Sequence, residues 1–233
     1  SRNEGGSAVL SNISFFQTAR MNVAVTGESG AGKTTLLKII AGLLQPDQGE
    51  VLFQNQKVVG PSGQLIPGHP SIGYLSQHFD LRNHYRVEEI LEYGNKLPVA
   101  QAHKLYELCR IDHLLRRWTH QLSGGERQRI ALAGLLSTAP VLVLLDEPFS
   151  NLDTGHKEML KKVIYDLGEN LSTTFLLSSH DPADMLSWAH QILVLKNGKL
   201  LQQGIPEDIY RFPADRYTAG LFGHFNELSP SIK

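Results

Sequence analysis

Gly27-Glu28-Ser29-Gly30-Ala31-Gly32-Lys33-Thr34, with Thr35 following, joins an apolar run to an amphipathic one. Its spacing is G-x-x-x-x-G-K-[ST]. Val23-Ala24-Val25 just ahead reads as a strand, and 33–43 carries helical periodicity. Strand, glycine-rich turn and helix, in that order, make a device for holding phosphate. Glycines let the backbone curl, so that the N–H groups of 27–32 point into one concavity. The helix start adds its positive partial charge. Lys33 supplies a full charge for β- and γ-phosphates, and Thr34 a hydroxyl for Mg²⁺.

Outward from this turn, apolar and β-branched runs alternate with helical patterns. The expected fold class is therefore α/β, a P-loop fold with a mostly parallel central sheet. Strands are expected at 9–16, 22–26, 50–55, 72–76, 141–145 and 174–178. Helices are expected at 33–43, 127–137, 156–169 and 182–187, with Asp153 or Thr154 capping the third of them. Segments 192–195 and 199–202 flank Asn197-Gly198, a two-residue hairpin signal that predicts an antiparallel element. Between 87 and 118 the pattern is helical, which predicts a helical subdomain, about 78–138, inserted into one domain spanning 1–233.

The 22 Lys and Arg balance 23 Asp and Glu, so no basic footprint points to a nucleic-acid partner. One cysteine excludes an intrachain disulfide framework. No apolar run approaches the ~18 residues that cross a bilayer, and no signal-peptide pattern opens the chain. A membrane role would have to come through a partner. Cys109 and His113, four apart in a helical pattern, could share a face, but two ligands do not make a structural zinc site.

Two further motifs carry chemistry. Val141-Leu142-Val143-Leu144-Leu145-Asp146-Glu147 is an apolar run ending in two carboxylates. Such a run suits a central parallel strand, whose C-terminal end is where these sheets take ligands. Asp146 fits a Mg²⁺ shell, directly or through water, and Glu147 is left to polarise an attacking water. Neighbouring strand residues face opposite ways, so the two acids need not share a task. Leu122-Ser123-Gly124-Gly125-Glu126-Arg127-Gln128 opens a helix. Ser123, Gly124 and Gly125 there can present N–H groups and a hydroxyl to an anion. Ser123 and Glu126 equally make an ordinary capping box. A lone Gln77 or His180 after a strand is by itself more often structural.

Taken together, these residues resemble the nucleotide-binding subunits of ABC transporters. The 27–34 stretch is similar to the Walker A motif, Gln77 to the Q-loop glutamine and 122–128 to the signature. The stretch 142–147 resembles Walker B, Ser150-Asn151-Leu152-Asp153 the D-loop, and His180 the switch histidine. The resemblance implies ATP with Mg²⁺ as ligands and ATP hydrolysis as the activity, with Glu147, His180 and Gln77 catalytic. It implies that 27–35, Ser123, Gly124, Gly125 and Asp153 contact nucleotide, and that Thr34, Gln77 and Asp146 serve the metal. In that family two such domains pack head to tail, each signature capping the other's ATP. One copy of each motif thus implies a homodimer or a paired nucleotide-binding subunit.

A lone domain of this kind works with separate membrane permease subunits, on the cytoplasmic face of the membrane. The junction 78–87 would form much of the groove for a permease helix, with Phe79, Leu81 and Tyr85 as anchors. Gly204-Ile205-Pro206-Glu207-Asp208-Ile209-Tyr210, Pro213, 220–223 and Asn226 resemble the end of the catalytic domain in importers of ferric iron, polyamines, sulfate/molybdate and sugars. That branch brings in a solute-binding protein. The same motifs would also serve an exporter or lipoprotein-releasing ATPase. DNA-repair members carry a coiled-coil or zinc insertion, and translation members two cassettes, neither of which is seen here. The family's adenine-stacking aromatic precedes the 9–10 strand, and 1–8 contain none. The expectation is a chain that starts after that aromatic and after the family's first strand; the alternative is weaker base stacking. No room is expected after 233 for the regulatory domain that follows in those importers.

Overall fold

The computed structural model describes residues 1–233 except 5, 6, 78, 80, 151, 172, 182, 183, 224 and 226–233. In chain order, β1 (Arg2–Glu4) and β2 (Ser7–Leu10) pair antiparallel. Then come β3 (Val23–Thr26), α1 (Lys33–Ile40), a second antiparallel pair β4 (Leu52–Phe53) and β5 (Gln56–Lys57), and β6 (Ile72–Leu75). Helices α2 (Val87–Tyr93), α3 (Val99–Leu108) and α4 (Gly124–Ser137) lead to β7 (Leu142–Asp146) and α5 (Thr154–Asn170). The chain closes with β8 (Thr174–Ser179), β9 (Gln191–Lys196), β10 (Lys199–Gly204), α6 (Pro206–Arg211) and α7 (Arg216–Phe222).

Six strands form the central sheet in the order β10-β9-β3-β8-β7-β6, all parallel except β10. The apolar runs are explained by burial on both faces. Along β7, Val143 and Leu145 enter one core with Ala24, Phe175, Leu177 and the inner side of α5 (Leu160, Val163, Ile164, Leu167). Leu142 and Leu144 enter the other, with Val23, Val25, Leu176 and the α1 residues Leu36, Leu37 and Ile40. Residues alternate by the period of two, yet both alternatives are apolar because helices cover both faces. Helices α2–α4 are inserted between β6 and β7, which lie side by side in the sheet.

Some expected elements differ. The strand foreseen over 9–16 stops at Leu10 because Asn12 adopts a left-handed φ of 53° and turns the chain. A short strand, β1, precedes it. The strand foreseen over 50–55 shrinks to β4, with Gln54 and Asn55 both at positive φ in the turn to β5. The helix foreseen over 182–187 lies partly outside the described residues. From Asp184 on, the chain makes short turns, with Asp184 N–H bonded to Asp181 O and Trp188 N–H to Met185 O. Cys109 and His113 do not share a helical face. Cys109 caps α3 and is fully buried, Arg110 turns at a φ of 54°, and His113 is exposed. Among the described residues no helix is long and apolar enough to cross a membrane.

Candidate functional site

Four adjacent strands, β3, β8, β7 and β6, run parallel, so their C-terminal ends open onto one edge of the sheet. Each delivers a sequence-flagged group there: the glycine-rich loop, His180, the Asp146-Glu147 pair and Gln77. Gly32, at a φ of 100°, caps α1, and this left-handed turn aims the helix start back at the loop. The Lys33 side chain is almost fully buried beneath the loop. Its Nζ donates to Gly27 O at 2.8 Å and to Glu28 O at 3.2 Å. Ser29 and Gly30 are exposed, Thr34 is exposed, and Thr35 half-buried.

Asp146 is 3% exposed, and hydroxyl groups surround its carboxylate. Thr34 Oγ1 donates to Oδ1 at 3.1 Å, Ser178 Oγ to the same oxygen at 2.7 Å, and Tyr74 Oη to Oδ2 at 2.9 Å. Burial, then the Asp146 charge and hydrogen bond, push the Tyr74 hydroxyl above its ordinary range, so it stays a donor. Tyr74 and Ser178 carry no motif, and the sequence did not flag them. A buried carboxylate held by neutral hydroxyls, beside the Thr34 hydroxyl, is a hard oxygen donor set that fits Mg²⁺.

Glu147 follows β7 with a left-handed φ of 48°, its N–H donating to Ser178 O at 3.1 Å and to Ser178 Oγ at 3.0 Å. It has left the pleat, so the rule that strand neighbours face apart does not govern it, and both acids reach the same site. Oε1 lies 3.2 Å from Lys33 Nζ and Oε2 3.0 Å from His180 Nδ1. Lys33, Thr34, Asp146, Glu147 and His180 therefore converge. The His180 segment is tied to α5: Lys157 Nζ reaches Asp181 at 2.9 Å and Asp184 at 2.6 Å, and Lys161 reaches Asp184 at 3.1 Å. Gln77 is half-buried and lies two residues past the end of β6, the strand next to β7.

The second glycine motif lies elsewhere. Ser123 caps α4 in a full capping box: Ser123 Oγ accepts from Glu126 N–H at 3.3 Å, and Glu126 Oε2 accepts from Ser123 N–H at 2.8 Å. Gly124 opens the helix with open space where a side chain would be. At Gly125 a Cβ would stand 2.6 Å from the His156 ring, so any side chain there would have to displace that imidazole. His156 in turn donates its backbone N–H to Asp153 Oδ1 at 3.1 Å, with Nδ1 2.6 Å from Oδ2. That backbone hydrogen bond above all, then the ring, hold Asp153 below the usual carboxylate range. The signature and the D-loop aspartate are thus joined through His156, while Asn151 lies outside the described residues. Among the described residues, no hydrogen bond or ion pair links Ser123, Gly124, Gly125 or Asp153 to the 27–34 loop.

This sheet edge, with its glycine-rich loop, buried lysine and paired acids, defines a P-loop nucleotide-binding domain of α/β class. Residues 10–150 match the family model for the ABC transporter, and the chain belongs to that family. It is 40% identical over 230 residues to the Fe(3+) ions import ATP-binding protein FbpC of Serratia marcescens, covering 96% of this chain and 66% of that one. It is 36% identical over 240 residues to the sulfate/thiosulfate import ATP-binding protein CysA of Neisseria meningitidis, covering 98% and 66%. The chain thus spans just under two-thirds of the length of these curated relatives. Among solved structures it resembles the ATP-binding cassette MJ0796, solved as a dimer in a post-hydrolysis state bound to ADP and phosphate. There the TM-score is 0.73 at 25% identity, over 88% of this chain and 94% of that one.

Proposed function

We propose that this chain is the ATP-binding and ATP-hydrolysing subunit of an ABC importer, within the iron, polyamine, sulfate and sugar branch. The observation that carries the reading is the convergence of Lys33, Thr34, Asp146, Glu147 and His180 on one edge of the sheet. Import rests on likeness to relatives named as import ATP-binding proteins.

In this reading the loop 27–32 cradles the phosphates, and Lys33 neutralises charge on the β- and γ-groups. Thr34, Asp146 and Gln77 would hold Mg²⁺, which when bound offsets phosphate charge. Tyr74 and Ser178 hold the Asp146 carboxylate in its orientation. Glu147 takes the proton of the attacking water, and its left-handed backbone aims the carboxylate at that water. His180, held by Glu147 and by the lysine-braced segment behind it, keeps the nucleophile aligned.

The remaining assignments complete a two-subunit machine. Residues 1–233 form one nucleotide-binding domain, with 78–138 as its helical subdomain. Ser123, Gly124 and Gly125, with Asp153, contact the nucleotide of a second copy, which explains two anion-binding devices in a chain with one phosphate loop. Tyr85 is 44% exposed and suited to contact a permease helix, whereas Phe79 is buried and serves packing instead. His78 and Asp80 of that junction lie outside the described residues. The subunit would sit at the cytoplasmic membrane face through its permeases, supplied by a solute-binding protein.

Light scattering of Glu147→Gln protein at high concentration tests the shared site. ATP should drive dimerisation and ADP should not, and Gly125→Val, which collides with His156, should abolish it. Glu147→Gln protein that keeps Gly125 and binds ATP, yet stays monomeric throughout, would refute the shared site.

A further inference from the structure

We infer that Tyr217, on the last described helix, is a positioning residue for the phosphate loop, acting through the Gly27–Glu28 peptide. The inference rests on the reading of 27–34 as the phosphate loop. Tyr217 Oη accepts the Glu28 N–H at 2.9 Å and donates to Leu195 O at 3.1 Å. The carbonyl of the same peptide unit, Gly27 O, accepts from Lys33 Nζ at 2.8 Å. One peptide plane is therefore pinned at both ends, by the lysine beneath the loop and by a tyrosine hydroxyl outside it. Rotation of that plane would break both bonds together. The hydroxyl thus fixes the carbonyl that holds the Lys33 ammonium.

The surroundings are built to hold the ring still. Leu195 O presses so close to Gly27, at a φ of 150°, that a Cβ there would approach to 2.3 Å. The end of β9 and the loop entry therefore meet with no side chain between them, and the tyrosine hydroxyl bridges the two. Lys196 Nζ stands 4.5 Å over the Tyr217 ring and pairs with Asp215 at 3.4 Å. Asp215 caps α7, accepting the Thr218 N–H at 2.8 Å. Ring, cation and cap set the register of α7 against the loop. A mere packing role would need the ring alone; the hydroxyl has both of its bonds committed, one of them to the loop backbone.

The test is ADP titration by calorimetry, alongside thermal melting. Tyr217→Phe should weaken ADP binding about 3- to 10-fold, the effect of one neutral hydrogen bond. Leu221→Ala, on the same helix, should lower the melting temperature and leave the affinity unchanged. In a Glu28→Pro background, which has no N–H at 28, the Tyr217→Phe effect should shrink below about 2-fold. An effect of the same size in both backgrounds, or wild-type affinity in Tyr217→Phe, would overturn the positioning role. Lys33→Ala separates the two claims: if it loses ADP affinity while Tyr217→Phe does not, only the tyrosine assignment falls. If Lys33→Ala binds like wild type, the phosphate-loop reading falls as well.

Discussion

Replacing Glu147 with Gln separates nucleotide binding from chemistry. Shape is kept, the left-handed backbone position is kept, and the N–H bonds to Ser178 do not involve the side chain. What changes is the carboxylate charge 3.2 Å from Lys33 Nζ. At an effective dielectric near 20, the gross attraction at that distance is about 5 kcal/mol. Desolvation of the two largely buried groups offsets most of it. A charge-assisted contact nets about 1.5–3 kcal/mol, and an amide oxygen retains about half of that. Phosphate competes with this carboxylate for Lys33, so weakening the pair by about 1 kcal/mol should leave nucleotide affinity unchanged or up to about 5-fold tighter. Turnover should move the other way, falling by the general-base contribution of about 10²–10⁴-fold, or about 3–5 kcal/mol of barrier. ADP titration and phosphate release on the same preparations read the two effects. Wild-type turnover would move the water-polarising role to His180, and a tenfold loss of affinity would refute the competition between carboxylate and phosphate.

Asp146→Asn should raise the Mg²⁺ concentration needed for tight nucleotide binding and also stop turnover, whereas nucleotide binding without Mg²⁺ should change little; calorimetry with and without Mg²⁺ decides this. Burial pushes the Cys109 thiol up to about 12, so thiol reagents should label it only as fast as the protein opens. A raised thiol pKa leaves stability complete below the ordinary thiol value of about 8.5 and erodes it above, by about 2 kcal/mol at pH 10. Chemical denaturation of wild type at pH 8 and pH 10 should show that loss, and Cys109→Ala should lack it.

Much of the fold was legible because both of its signals were local. The loop carries its own spacing, and β7 is apolar at every position since both of its faces are buried. The strands at 9–16 and 50–55 misled because alternation marks extended chain, while a ladder also needs a partner, and left-handed turns at Asn12 and Gln54 ended both. In the site, residues with a motif were found and residues without one were not. Ser178 lies directly opposite Asp146 across the β7–β8 ladder, and Tyr74 comes from β6 on the other side. Those contacts depend on strand order, which no local pattern encodes. The convergence of Asp146 and Glu147 was hidden for a similar reason: it follows from one backbone angle just past the strand. His156, with its ring over Gly125, is legible only once α4 and α5 are packed together.

The most direct test of the central claim is phosphate release from Mg²⁺-ATP by the purified chain, compared with folded Lys33→Ala protein. Lys33 is the side-chain cation bonded to the loop carbonyls and paired with Glu147. Its loss should weaken ATP binding by about 1.5–3 kcal/mol, or about 10- to 150-fold, and remove turnover at ATP concentrations that nearly saturate the wild type. Equal phosphate release by both proteins would contradict the account at its root.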